Sequence, residues 1–157
     1  MKRLHRSTGG TIRQRRLAAA ERPPYICAMY RLCFLREFTA RHRLMGGDWG
    51  AENELHGHDY RLEWELRSST LDAHGFLVDL VDVERSLVTV SRRYSGVVLN
   101  DLPEFDAQNP SLERFARILW DRLSGSLPAG VQGAVRLWEG SSAWAGYEQS
   151  PASAAGA

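Results

Sequence analysis

The chain opens its regular patterning at residues 29–42, MYRLCFLREFTARH, where aromatic and aliphatic residues crowd together without a helical stripe. That composition reads as a strand ending near His42. Eighteen residues later the pattern sharpens. In YRLEWELR, Tyr60, Leu62, Trp64 and Leu66 fall on one side and Arg61, Glu63, Glu65 and Arg67 on the other. A strict period of two over eight residues defines a half-buried antiparallel strand. The period then changes. Leu80, Val83, Leu87 and Val90 recur at three and four, one apolar stripe of a helix. A second helix follows in NPSLERFARILWDRLSG, with Ser111 as N-cap, Leu112, Phe115, Leu119 and Leu123 as its buried face, and Gly125 closing it. VQGAVRLWE and SAWAGYE return to strand character. Trp64, Trp120 and Trp138 are expected in the core, and Trp144 at an interface.

The order β-β-α-α-β-β predicts an α+β fold, a four-stranded antiparallel sheet with both helices on one face. Such a sheet leaves two edges and a bare face, which natural proteins manage by pairing across subunits, so an oligomer is expected. The domain is bounded at residues 29–149, between a leader over 1–28 and a Pro/Ala/Gly/Ser tail over 150–157, both expected to be disordered.

Charge changes the picture only at the N-terminus. The 157 residues carry a formal +1, yet residues 1–22 hold seven Lys or Arg against the single acid Glu21, so +6, which leaves −5 on the rest. The leader reads as a nucleic-acid arm, an Arg-rich targeting peptide, or an extension without a role. Arginine supplies 19 of the 20 basic residues throughout the chain, which points to coding bias rather than selection for phosphate contacts, and the body of the chain is mildly acidic. A nucleic-acid partner is therefore not expected. No apolar run reaches the roughly 20 residues a membrane helix needs. Cys27 and Cys33 make neither a disulfide framework nor a zinc-ribbon spacing, so a reducing cytoplasm is the default.

The candidate chemistry sits in ENELHGHDY, residues 52–60. Alternate strand residues share a face, so His56 and His58 project together across Gly57 and can share a metal ion. An H-x-H pair alone equally suits ordinary hydrogen-bonding histidines. A third histidine, His42, closes the preceding strand, where antiparallel pairing can bring it alongside. Three neutral imidazoles with a fourth position open form the pattern of catalytic zinc, a Lewis acid for carbonyls and hydroxyls. His5 and His74 fit no such geometry. Trp49, in the intervening loop, could line the pocket or shield the metal.

FTARH, a loop, then LHGHDY resembles the 6-pyruvoyl-tetrahydropterin synthase and 6-carboxytetrahydropterin synthase family, which carries F-x-A-x-H followed by H-G-H-x-Y. The resemblance runs on through GFLVDL, LND, NPSLERFA and RLWEGSSAWAGY, in order, over about residues 29–148. It implies a tunnelling fold (T-fold), trimers stacking into hexamers, and sites between subunits. It implies zinc on His42, His56 and His58, with Glu139 anchoring a pterin ring and Ser111 and Glu113 helping to close the pocket. The implied activity is a carbon–oxygen or carbon–carbon lyase acting on 7,8-dihydroneopterin triphosphate, in pterin, queuosine or folate-type biosynthesis.

Two departures bear on the reaction. The family's carboxy-forming branch places a catalytic cysteine four residues before the first His of H-G-H, and here that position is Glu52. The family's Asp-His pair before L-N is replaced by Ser95 and Gly96. Some members use glutamate in the cysteine's place and release a hydroxymethyl-dihydropterin. Glu52 is accordingly the expected base, with Glu54 as its alternative, since a carboxylate in a low-polarity pocket can titrate near neutrality. The competing expectation is a diverged zinc- and pterin-binding paralogue with another substrate or a non-enzymatic subunit role.

Overall fold

The computed structural model describes residues 28–149. The leader expected over 1–28, Ala28 apart, and the tail expected over 150–157 lie outside these residues, as do His5 and Cys27. Strands β1 (Tyr30–His42) and β2 (His56–Ser68) are followed by helices α1 (Leu80–Tyr94) and α2 (Leu112–Leu123), then by β3 (Gln132–Glu139) and β4 (Ala143–Glu148). The strands form one antiparallel sheet in the order β1-β2-β3-β4, so β1 and β4 are its edges. The fold is the α+β T-fold. None of the described helices is long and apolar enough to cross a membrane.

The alternation in β2 does what its period requires. Tyr60, Leu62, Trp64 and Leu66 are buried under the helices. From β1 they are joined by Phe38, Ala40 and His42, and from β3 by Val135 and Leu137. Asp79 caps α1 by accepting from the Val81 N–H at 2.8 Å, and Ser111 caps α2 by accepting from the Arg114 N–H at 3.3 Å. Each satisfies one of the donors that a helix start leaves free. Phe115, at 0% exposure, joins the layers, its ring 5.4 Å from Tyr60, 4.9 Å from Tyr94 and 5.5 Å from Phe105.

Two expectations are corrected. Leu80 is 55% exposed because the Asp79 cap makes it the first helical residue, ahead of the stretch that meets the sheet. The buried stripe of α1 is instead Val83, Leu87, Val90 and Tyr94. Trp138 lies outside the core: Leu137 points to the helices, so the strand period sends Trp138 to the bare face. There the Arg61 guanidinium stands 4.6 Å over its ring, its indole N–H donates to Glu63 Oε1 at 2.8 Å, and Trp144 lies beside it at 6.1 Å. Five Arg and five acidic residues alternate along this face of β1–β4, among them Arg136, which ion-pairs with Glu63 at 2.9 Å.

Candidate metal centre

Three antiparallel strands deliver the centre. The register pairs His42 directly with His56, and Tyr60 with Glu139, so four chemistry-bearing residues converge where β1 ends and β2 begins. The imidazole rings of His42, His56 and His58 pack edge to face with centroids 4.7–5.0 Å apart. Glu52 enters from the short 3-10 turn Gly50–Asn53, directly before β2. One ligand atom from each of His42, Glu52, His56 and His58 lies within 4.8 Å of the other three.

The tautomers follow from the backbone. His42 Nδ1 sits 3.1 Å from the Pro110 carbonyl, and His56 Nδ1 sits 2.7 Å from the Glu54 carbonyl. A carbonyl oxygen only accepts, so both Nδ1 atoms donate and both Nε2 atoms carry the lone pair. Those two Nε2 atoms face each other at 3.1 Å. Two lone pairs held at that distance repel unless an electrophile lies beside them. His58 Nε2 is buried with no hydrogen-bond partner, a condition that normally costs on the order of 1–3 kcal/mol. Burial pushes the pKa of His42 below its ordinary value, the Pro110 hydrogen bond opposing the shift, which favours the neutral form a metal ligand must have. Convergent imidazole nitrogens, with His42 favoured in its neutral form and His58 Nε2 left without a partner, fit a divalent cation of the zinc type.

Glu52 Oε2 lies 3.1 Å from His56 Nε2 and 3.9 Å from His42 Nε2. Glu139 Oε1 approaches from β3, 3.5 Å from His58 Nε2 and 3.8 Å from His42 Nε2. The same oxygen accepts from the Tyr60 hydroxyl at 2.9 Å. Burial raises the Tyr60 phenol well above its usual range, with the charge of Glu139 adding to the effect, so the hydroxyl stays a donor.

The remaining candidates are placed differently. Glu54 offers its backbone carbonyl to His56 and stands outside the four-residue cluster. Glu113 is exposed in the first turn of α2. Ser111 spends its hydroxyl on the helix cap, and its neighbour Pro110 brings this segment against His42. Trp49 closes the loop on itself rather than facing the histidines: its indole donates to the Met45 carbonyl at 3.3 Å, and a Cβ at Gly47 would stand 2.8 Å from its ring.

Three asparagines went unnoticed in the sequence reading. Asn109 accepts from the Met45 N–H at 2.7 Å and donates to the Met45 carbonyl at 2.9 Å. Asn100 repeats that clamp on Arg43 at 3.0 and 2.9 Å, and Asn53 donates to the carbonyls of Leu44 and Gly47. Together they replace strand pairing for a loop that has none. The fragments LND and NPS held the signal, for an asparagine amide is the side chain that copies both edges of a peptide group.

Fold and site together define an α+β protein of the T-fold with a three-histidine, one-carboxylate candidate metal centre at a strand junction. A model of the family described as 6-pyruvoyl tetrahydropterin synthase matches residues 31–150, and the chain belongs to that family. Similar solved structures include 6-pyruvoyl tetrahydropterin synthase from Caenorhabditis elegans, at 22% identity, covering 78% of this chain and 97% of that one, with a TM-score of 0.70. The corresponding enzyme of Plasmodium vivax matches at 14% identity, 78% and 98% coverage and a TM-score of 0.66, and its structure has also been solved with substitutions at a glutamate described as its catalytic residue. An uncharacterised protein of Wolinella succinogenes matches at 16% identity, 78% and 99% coverage and a TM-score of 0.64. At these identities the structural likenesses show the fold.

Proposed function

We propose that the protein is a zinc-dependent lyase of the tetrahydropterin synthase type acting on 7,8-dihydroneopterin triphosphate. The observation that carries this reading is the convergence of His42, His56 and His58 through their ring nitrogens, His58 Nε2 buried without a hydrogen-bond partner, with Glu52 beside them at the position where the family's carboxy-forming branch carries its cysteine. Zinc bound there would supply Lewis acidity towards the hydroxyls of the substrate side chain.

The protein's own groups do the rest. Tyr60 donates to Glu139 Oε1, which leaves Oε2 and the second lone pair of Oε1 to accept paired hydrogen bonds from a ring amino group and a ring N–H. Such pairing selects a pterin and fixes its side chain over the histidines. Glu52 and Glu139 are the carboxylates whose oxygens reach within 4 Å of the three histidines' ring nitrogens among the described residues. With Glu139 occupied by the ring, Glu52 takes the hydroxyl proton. The described glutamate of the Plasmodium vivax enzyme supports a carboxylate in that part. The product expected from it is a hydroxymethyl-dihydropterin, a folate-type intermediate, with homo-oligomeric assembly in the cytoplasm.

A second reading has one observation in its favour. Ser95 caps the end of α1 and Gly96 has no side chain, so the family's Asp-His pair has no counterpart there. A diverged zinc- and pterin-binding paralogue would look the same. Incubation of the zinc-loaded protein with 7,8-dihydroneopterin triphosphate, with products read by mass, separates the two. A hydroxymethyl-dihydropterin supports the proposal. Tight pterin binding without turnover supports the paralogue, and no pterin binding refutes both.

A further inference from the structure

We infer that the Glu52 carboxylate is the fourth metal ligand of the substrate-free protein, so that the centre is closed at rest and opens when a substrate oxygen takes Glu52's place. The inference rests on the zinc reading above and goes beyond it by giving Glu52 two successive roles.

Three observations carry it. The first is distance. With ligand bonds of about 2.0–2.2 Å, the ligands of a tetrahedral zinc stand roughly 3.3–3.6 Å apart. Glu52 Oε2, at 3.1 Å from His56 Nε2 and 3.9 Å from His42 Nε2, brackets that separation, and it belongs to a cluster in which all four ligand atoms are mutually close.

The second is contrast with Glu139. That carboxylate also approaches two histidines, but the oxygen doing so is committed to the Tyr60 hydroxyl and stands outside the four-atom cluster. Of the two acids, Glu52 is the one whose near oxygen faces histidine nitrogens alone.

The third is how Glu52 is held. Its N–H donates to the Trp49 carbonyl at 3.3 Å, and its carbonyl accepts from the Leu44 N–H at 2.7 Å, in a turn that Asn53 fastens to Leu44 and Gly47. The backbone is pinned while the side chain remains 48% exposed, so the carboxylate can leave the centre without moving the loop. When it leaves, it stands beside the incoming hydroxyl. The O–H bond then breaks, its electron pair staying on the substrate oxygen and its proton passing to the carboxylate. No oxidant or reductant is required.

The test uses the full chain, stripped of metal and reloaded with Co2+ or Zn2+. Affinity is read by competition with a chelator, and the ligand field by visible absorption of the cobalt form. Glu52→Gln, which keeps the shape of the side chain, should weaken binding of both metals by about tenfold or more, since even groups that merely support ligands cost 10–100-fold. It should also alter the cobalt spectrum, and Glu52→Ala should do the same. Adding 7,8-dihydroneopterin, which lacks the triphosphate, should change the wild-type spectrum. Wild-type affinity and spectrum in both variants, with His56→Ala losing the metal, would overturn the inference while leaving the zinc reading intact. Retention of metal by His56→Ala would overturn the zinc reading and the inference with it. A Glu52 effect on affinity, with a wild-type spectrum indifferent to the pterin, would overturn the exchange.

Discussion

Replacing Tyr60 by phenylalanine removes one oxygen and keeps the ring that stacks on Phe38 at 5.5 Å and meets Phe115 edge-on. The lost oxygen donates to Glu139 Oε1 at 2.9 Å. A hydrogen bond to a charged acceptor contributes about 1.5–3 kcal/mol, and Glu139 is partly exposed, so water replaces some of it. We expect about 1–2 kcal/mol less affinity for 7,8-dihydroneopterin, hence a dissociation constant about 5- to 30-fold higher. The metal should stay, because Tyr60 touches no ligand except through the edge of the His58 ring, 6.0 Å away. Isothermal titration against the zinc-loaded protein measures the first quantity and chelator competition the second. Catalytic turnover at saturating substrate should fall much less than kcat/KM, since Tyr60 sets where Glu139 points and takes no proton itself. Unchanged pterin affinity in Tyr60→Phe would refute the idea that this hydroxyl orients Glu139 for the ring.

Asn109→Ala removes both hydrogen bonds that hold Met45, and should speed amide exchange over residues 45–53 while leaving β3 unchanged; equal exchange in both segments would refute the clamp. A pH dependence should arise at Glu104, whose carboxyl is held down to about 2, first by Arg93 and further by the Tyr94 hydroxyl and Arg122. A depressed carboxyl stabilises the fold fully above its ordinary value of 4.5, and that contribution disappears as pH falls through about 2. Arg93 and Arg122 are a third exposed, so after screening the contribution is about 1–2 kcal/mol. Glu104→Gln should lower the urea midpoint at pH 6 and flatten its decline between pH 4.5 and pH 2; an unflattened decline would assign that acid sensitivity to other carboxyls.

The strands and helices were legible because each carries its period openly. Tyr60 to Leu66 alternate as a strand must, and Ser111 stands where a helix cap is expected and serves as one. The three histidines were legible for the same reason: a period-two pair plus a strand-end partner is a geometric statement. What was not legible depends on polar atoms whose partners lie far along the chain. Asn100 and Asn109 read locally as turn formers, yet they bond to residues 57 and 64 positions away. Tyr60 was placed correctly by its apolar ring, while its hydroxyl, directed at Glu139 across the strand pair, left no trace in the alternation. Trp138 departs from the core expected of it because strand parity, set by the buried Leu137 beside it, turns it to the bare face.

That same long-range logic joins the two departures from the family pattern. Gly96 adopts φ +74°, donates its N–H to the Thr39 carbonyl at 2.7 Å, and leads into Val97, whose carbonyl accepts from the Arg41 N–H at 2.9 Å. The segment thus pairs with the rim of β1 as backbone, one residue short of His42, and brings no titratable side chain there. A left-handed φ favours glycine, so the position serves the path of the chain rather than proton transfer. Under the proposed function, proton chemistry at this centre therefore falls to Glu52, which the 3-10 turn before β2 brings to 3.1 Å from His56 Nε2.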